Sequence, residues 1–279
     1  MKKYFQIIGI ISLACFSFMF TEKTALMVRN SDSLMQTIKE NEAQYEVKSI
    51  NASIEGNTII PGIGGKKVNG SKSYTNMKRL GQFNANLLLY DYILPEVSLT
   101  KNYDKYVIGG NPRKNMVSLI IKINSNDKID EILKVIEDTK INLFIDGNWL
   151  EKNEKELTKL VNYNIGNLSY DGDYSKSGFI WMNTIISKYS RQENKYCYQE
   201  EQIDEYLKIC ALQKNYTILP SIILKNNPLI EVKNNLKSGS VIAMNIDDKT
   251  IKELPLIINY INNKGYKIVV LDELLSEDF

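Results

Sequence analysis

Histidine is absent from the sequence, and that fact bounds the chemistry before any motif is weighed. Imidazole is the side chain that most often ligates metals, activates nucleophiles and carries protons near neutral pH. His-ligated zinc hydrolases, Ser-His-Asp enzymes and Cys-His enzymes are excluded together. Carboxylates, amides, lysines and tyrosines remain. Asp247-Asp248 could be paired ligands, but they stand just before a helix start and read as decoration of its N-terminus. Asp171 and Asp173 flank Gly172 and read as a solvated turn rather than a calcium site, since nothing matches EF-hand spacing. Gly62, Gly64 and Gly65 form no phosphate loop, because no Lys-Ser/Thr helix start follows at the required offset. No metal and no cofactor is expected.

The elements that must position these residues fall into three regions. Residues 1–20 hold Lys2, Lys3 and the uncharged stretch Tyr4–Phe20. Seventeen residues at ~1.5 Å each span about 25 Å, at the short end for crossing a bilayer. The positive flank predicts an anchor with the C-terminal bulk outside. A cleaved secretory signal is the competing reading, although no A-x-A-like site follows Phe20. Residues 21–114 are polar and read as a stalk and cap without a core of their own. Leu34, Met35 and Ile38 mark a short amphipathic helix there, and a second helix is predicted near Tyr74–Leu80.

Residues 115–279 alternate strand-like and helix-like segments. Met116–Ile123 is a buried strand, Ile141–Ile145 the next, and Ser240–Met244 and Lys267–Leu271 come late. Thr250 with Glu253 predicts a capping box opening a helix on which Ile251, Leu254, Ile257, Ile258 and Ile261 share a face. Repeated βα units argue for a parallel sheet or barrel of the α/β class, with its site at the carboxyl ends of the strands.

The run LFIDGNWLEKNEKELTKLVNYNIGNLSY around Leu143 resembles the polysaccharide deacetylase (NodB homology) family, in its Gly147-Asn148-Trp149…Asn153 and Ile165-Gly166-Asn167 segments. GSVIAMNID (Gly239–Asp247) and GYKIVVLDELL (Gly265–Leu275) look like that family's closing strand-helix-strand, and Met116–Ile123 takes the place of its opening strand. The resemblance implies a deformed β/α barrel that removes acetyl groups from N-acetylated sugars, using a divalent metal held by an Asp and two His.

Every chemical position departs from that pattern while the scaffold positions hold. Where an Asp pair should follow a Thr-Phe, the chain has Ile120, Ile121, Lys122 and Ile123, with Asn124 next. Lys122 puts a positive charge about where the cation should sit. The metal His positions fall on Leu168 and Gly172, the Arg-Pro-Pro segment on Tyr196, Cys197 and Tyr198, and the acid His on Asn245. A chain without histidine has none to slide into register. Lys122, Asn124, Leu168, Gly172, Tyr196, Tyr198 and Asn245 are therefore the candidate ligand-binding residues of a vestigial cleft, with no catalytic residue among them. Tyr170 and Tyr174 are expected to cluster with Tyr196 and Tyr198 near that cleft, since tyrosines stack on sugars while hydrogen-bonding their edges. Substituting Tyr198 or Asn245 by Ala is expected to weaken glycan binding with stability nearly unchanged.

The charge count excludes non-specific nucleic-acid binding. Lys+Arg number 35 against 33 Asp+Glu, and Lys2 and Lys3 account for the excess, so the body is neutral. An exported compartment permits a Cys197–Cys210 disulfide, but a body of this size can bury enough surface without one, and two unpaired buried thiols are the favoured reading. The reading is a non-catalytic, deacetylase-like protein anchored in the cell membrane with an extracytoplasmic body. Its partners would be a cell-wall glycan such as peptidoglycan or an envelope protein. The alternative is an active carbohydrate de-N-acetylase with a His-free mechanism.

Overall fold

The computed structural model describes residues 11, 13, 15–18, 23–24, 27–124, 129–136, 139–170 and 173–279. Lys2, Lys3, most of the Tyr4–Phe20 segment, Asp171 and Gly172 lie outside the described residues. Among the described residues, no helix is long and apolar enough to cross a membrane.

The chain divides into two compact units. The smaller comprises the described parts of Met1–Ser49, with Gly64–Ile93 and Phe279. Here the helices Ser33–Tyr45 and Gly70–Met77 accompany an antiparallel pair, β3 (Gly65–Val68) and β4 (Tyr90–Ile93). Asp32 caps the first helix by accepting from Leu34 N, and it also accepts from the Tyr74 hydroxyl at 2.8 Å. Leu34, Met35, Ile38, Val68, Tyr74, Met77 and Leu88 pack into one cluster. This region was expected to lack a core. Each apolar stripe is too short to make a core alone, but two helices laid face to face bury both.

The larger unit comprises Ile50–Ile63 and Leu94–Asp278. Its sheet takes β1 (Ser53–Glu55), β2 (Thr58–Ile60) and β5 (Tyr106–Val107) from the region read as stalk and cap. The other strands are β6 (Met116–Ile123), β7 (Asn142–Ile145), β8 (Asn164–Asn167), β9 (Tyr196–Tyr198), β10 (Tyr216–Ile218), β11 (Ile222–Ile223), β12 (Val241–Asn245) and β13 (Lys267–Ile268). Their order is β1-β2-β5-β10-β9-β8-β7-β6-β12-β11, with β13 also paired to β6. Only β1–β2 is antiparallel. The result is mixed α/β with a sheet curled into a half barrel.

Strand alternation sorts the side chains into two layers. Leu119, Ile121, Ile123, Leu143, Ile145, Ile242 and Met244 point outward and are covered by helices in the main core. Ile120, Phe144, Tyr198, Ile218 and Ala243 point inward and fill the half barrel. At its amino-terminal end the buried Asn142 amide donates to Ser118 Oγ and Leu119 O, both at 2.8 Å, and accepts from Leu271 N. That network satisfies polar groups which would otherwise be orphaned in an apolar interior.

Two local expectations are corrected. The late helix starts at Asp248, capped by Asp247, whose carboxylate accepts from Thr250 N at 2.7 Å. Thr250 therefore sits within the first turn, because a carboxylate three residues upstream reaches the same orphan N–H. Cys197 and Cys210 are joined as a disulfide rather than standing as two thiols. Cys197 lies between two inward tyrosines, so strand alternation turns it outward onto the helix Asp204–Leu212, which carries Cys210.

Candidate functional site

The carboxyl ends of β6, β7, β8 and β9 surround a cavity of about 400 Å³. Its wall holds Lys122 and Asn124 from β6 and the residue following it, Asp146 after β7, Leu168 after β8, and Tyr198 with Gln199, Glu200 and Glu201 from β9 onward. Ile203 and Tyr206 close the side where the Asp204–Leu212 helix begins. Lys122 pairs in register with Asn245 of β12 on one side and Phe144 of β7 on the other. Asn124 Nδ2 donates to Asn245 Oδ1 at 3.4 Å, so Asn245 stands at the rim.

The floor is aromatic. Phe144 and Tyr198 approach with ring centroids 5.8 Å apart at a tilt of 60°. Phe144 occupies the space that a side chain at Gly166 would need; a Cβ there would lie 2.4 Å from Phe144 Cε1.

Charge in the cavity is organised around Glu200. Lys122 Nζ donates to Glu200 Oε1 at 2.5 Å, and the Tyr198 hydroxyl donates to the same oxygen at 2.9 Å. The Lys122 ammonium also lies 5.3 Å from the Tyr198 ring centroid, within cation–π range. Burial alone would raise the Glu200 carboxyl; the Lys122 hydrogen bond and charge, then the Tyr198 hydroxyl, outweigh it and hold it below its ordinary value. Burial, followed by the Glu200 charge and hydrogen bond, pushes the Tyr198 phenol well up, so it stays protonated and donates to Glu200. Asp146 is 1% exposed and caps the helix Gly147–Asn153 through Asn148 N at 2.8 Å.

Lys122, Asn124, Leu168 and Tyr198 thus meet on one cavity wall with Asn245 at its edge. Gly172 lies outside the described residues. Tyr196 sits two residues before Tyr198 on the same inward face, one strand pitch deeper, where its hydroxyl bonds Asp272 at the opposite end of the half barrel. The other tyrosines are also placed elsewhere. Tyr174 is fully buried and staples β8 to β9, its hydroxyl donating to Asn167 O and accepting from Tyr198 N. Tyr170 covers Gly147 and donates to Glu151; burial, then that carboxylate, raises it to about 12.

Sequence reasoning missed Asp146, Gln199, Glu200, Glu201 and Tyr206. Two of them carried a signal: Asp146 is two residues beyond the inward Phe144, and Glu200 two beyond Tyr198, so alternation points both into the same space.

A divalent metal does not fit this donor set. Among the described residues, no three His, Cys, Asp or Glu groups stand where they could hold one. The cavity instead presents an ammonium already paired with a carboxylate. The site can accept and donate hydrogen bonds, stack a ring and balance charge.

No family model matches the chain. The uncharacterized protein YlxY of Bacillus subtilis (strain 168) is 28% identical over 287 residues, spanning 91% of this chain and 87% of that protein. The wild-type CE4 family pseudoenzyme BA3943 from Bacillus anthracis is 26% identical, with a TM-score of 0.68 over 89% of this chain and 96% of that one. Over most of its length the chain is similar to a degenerate member of the CE4 polysaccharide deacetylases. A BA3943 mutant with restored enzymatic activity superposes at the same TM-score, over 88% of this deacetylase-like chain and 99% of the mutant. The Bc1960 peptidoglycan N-acetylglucosamine deacetylase, at 19% identity and a TM-score of 0.56 over 62% of this chain and 95% of that one, shares the fold.

Proposed function

We propose that this deacetylase-like protein is catalytically inactive and binds a cell-wall glycan such as peptidoglycan in its cleft, held at the outer face of the cell membrane by Tyr4–Phe20. One observation carries the reading. A cavity lies at the carboxyl ends of the strands, lined by polar and aromatic groups and holding the Lys122–Glu200 ion pair. A pocket built of amides, an aromatic ring and an ion pair suits a hydroxyl-rich ligand. The Cys197–Cys210 disulfide fits an oxidising compartment. The similarity to a CE4 pseudoenzyme and the fold shared with a peptidoglycan deacetylase support the same ligand class.

Affinity of the chain for purified cell-wall glycan, measured beside solubilised envelope proteins, tests the ligand. Capture of envelope proteins with no retention on glycan would replace this reading with that of a protein scaffold. Treatment of intact cells with a non-permeant protease tests the topology. The body should be destroyed, and full protection would overturn the orientation.

A further inference from the structure

We propose that the half barrel carries a second carbohydrate site, a tyrosine-lined groove at the amino-terminal ends of β9 and β10, opposite the cleft. The inference extends the glycan reading above to a place the cleft does not reach. A cavity of about 630 Å³ opens there, larger than the cleft's 400 Å³. Its wall holds three tyrosines, in the order of the strands they precede or open. Tyr103 stacks on Tyr216 with ring centroids 4.8 Å apart and planes 18° from parallel, and Tyr216 meets Tyr196 at 6.3 Å. Tyr103 and Tyr216 are half-buried, with their hydroxyls 3.5 Å apart. A tyrosine face takes the C–H side of a sugar ring, while hydroxyl and amide groups around it hydrogen-bond the sugar's edge.

The walls are held in place by the protein itself. Glu277, in the C-terminal segment that closes one side, accepts from Gly62 N at 2.9 Å and Leu99 N at 3.0 Å. Asp272 accepts from the Tyr196 hydroxyl and from Lys195 Nζ. A wall ordered in advance spends less of the binding energy on its own ordering. A second observation points to a bound polar molecule. A smaller cavity of about 350 Å³ adjoins the first, sharing Glu193, Lys195, Tyr196 and Asp272 with it. On its wall Asn164 Nδ2 is buried with no acceptor among the described residues. A buried donor left unmatched is costly, and a ligand oxygen would satisfy it. Ring faces in one cavity and an amide donor in the next suit several linked sugar units rather than one.

The test is calorimetric titration of the full chain with an N-acetylglucosamine tetramer, in the wild type and in variants of each site. Tyr103→Leu removes the stacking face, and Thr100→Trp fills the groove from an exposed position on its wall. Wild type should take up two tetramers per chain. Each of these variants should weaken one of the two at least about tenfold, with the melting temperature of Thr100→Trp unchanged. Asn245→Ala should weaken only the other. One tetramer per chain, weakened by Asn245→Ala and untouched by Tyr103→Leu and Thr100→Trp, overturns the second site and leaves the cleft reading standing. One tetramer that is lost in Thr100→Trp and indifferent to Asn245→Ala supports the second site and overturns the cleft. Binding of no tetramer overturns both.

Discussion

Lys122 Nζ and Glu200 Oε1 lie 2.5 Å apart although 78 residues separate them in the chain. Their strands, β6 and β9, are three positions apart in the sheet, with β7 and β8 between. In a flat sheet three strand spacings amount to about 14 Å, beyond the reach of a lysine. The contact exists because the sheet curls and its strand ends converge. The same curl makes the cavity.

Breaking that pair should leave a pH signature. The Glu200 carboxyl is held below its ordinary 4.5 in the folded protein. A depressed folded pKa contributes stability that is fully present above the unfolded value and is lost as pH falls through the folded one. The stability gap between wild type and Lys122→Met should therefore be widest near neutrality, at about 1–2 kcal/mol, and narrow below pH 4.5. Urea titrations across that range measure it. A gap independent of pH would show that the two groups do not interact in solution.

Phe144 and Gly166 should be coupled. Adding a Cβ at Gly166 forces the Phe144 ring out of the barrel floor. Gly166→Ala should cost about 1–3 kcal/mol, the usual range for overpacking. Most of that should return in the Phe144→Leu background. Additive effects in a double-mutant cycle would sink the contact.

The disulfide closes a short loop, with 13 residues of sequence separation. Chain-entropy arguments for a loop of this length give about 3 kcal/mol. The Cys197→Ser, Cys210→Ser double variant should lose stability of that order, and reductant should act on wild type only. Identical denaturation midpoints with and without reductant would remove the bond from the account.

Tyr198 and Asn245 should behave differently, against the expectation that either can be replaced by Ala at little cost. Tyr198 is 6% exposed and packs in the barrel interior, so Tyr198→Ala should cost about 3–5 kcal/mol. Tyr198→Phe removes only the hydroxyl that Glu200 accepts, about 1 kcal/mol. Asn245 is exposed at the rim, and Asn245→Ala should leave stability within about 0.5 kcal/mol while weakening glycan binding several-fold. Thermal melts beside glycan titrations separate the two effects.

Chelator-free protein should contain no stoichiometric zinc or cobalt and release no acetate from N-acetylglucosamine oligomers. Elemental analysis and an acetate assay read these directly. Turnover that disappears on substituting Lys122 or Asn245 would instead restore an enzymatic reading.

The amino-acid sequence alone determined the loss of imidazole chemistry, because composition is independent of how the chain folds. It also determined the strands Met116–Ile123 and Ile141–Ile145 and the late strand-helix-strand, since apolar periodicity is local and each buried strand is written in consecutive residues. It did not determine the helix Lys176–Ser190 or the short strands Tyr196–Tyr198 and Ile222–Ile223. The inward parity of Lys122 and Tyr198 follows from the same two-residue alternation. Sequence could not show that Glu200 closes on Lys122, that Tyr196 falls at the far end from Tyr198's cavity, or that Cys197 meets Cys210. Those depend on sheet order, curl and where a helix lands, which are set by contacts between segments far apart in the chain. The small core of Leu34, Ile38, Tyr74 and Met77 escaped for the same reason. Two helices that the sequence shows singly become a core only when tertiary structure lays one against the other.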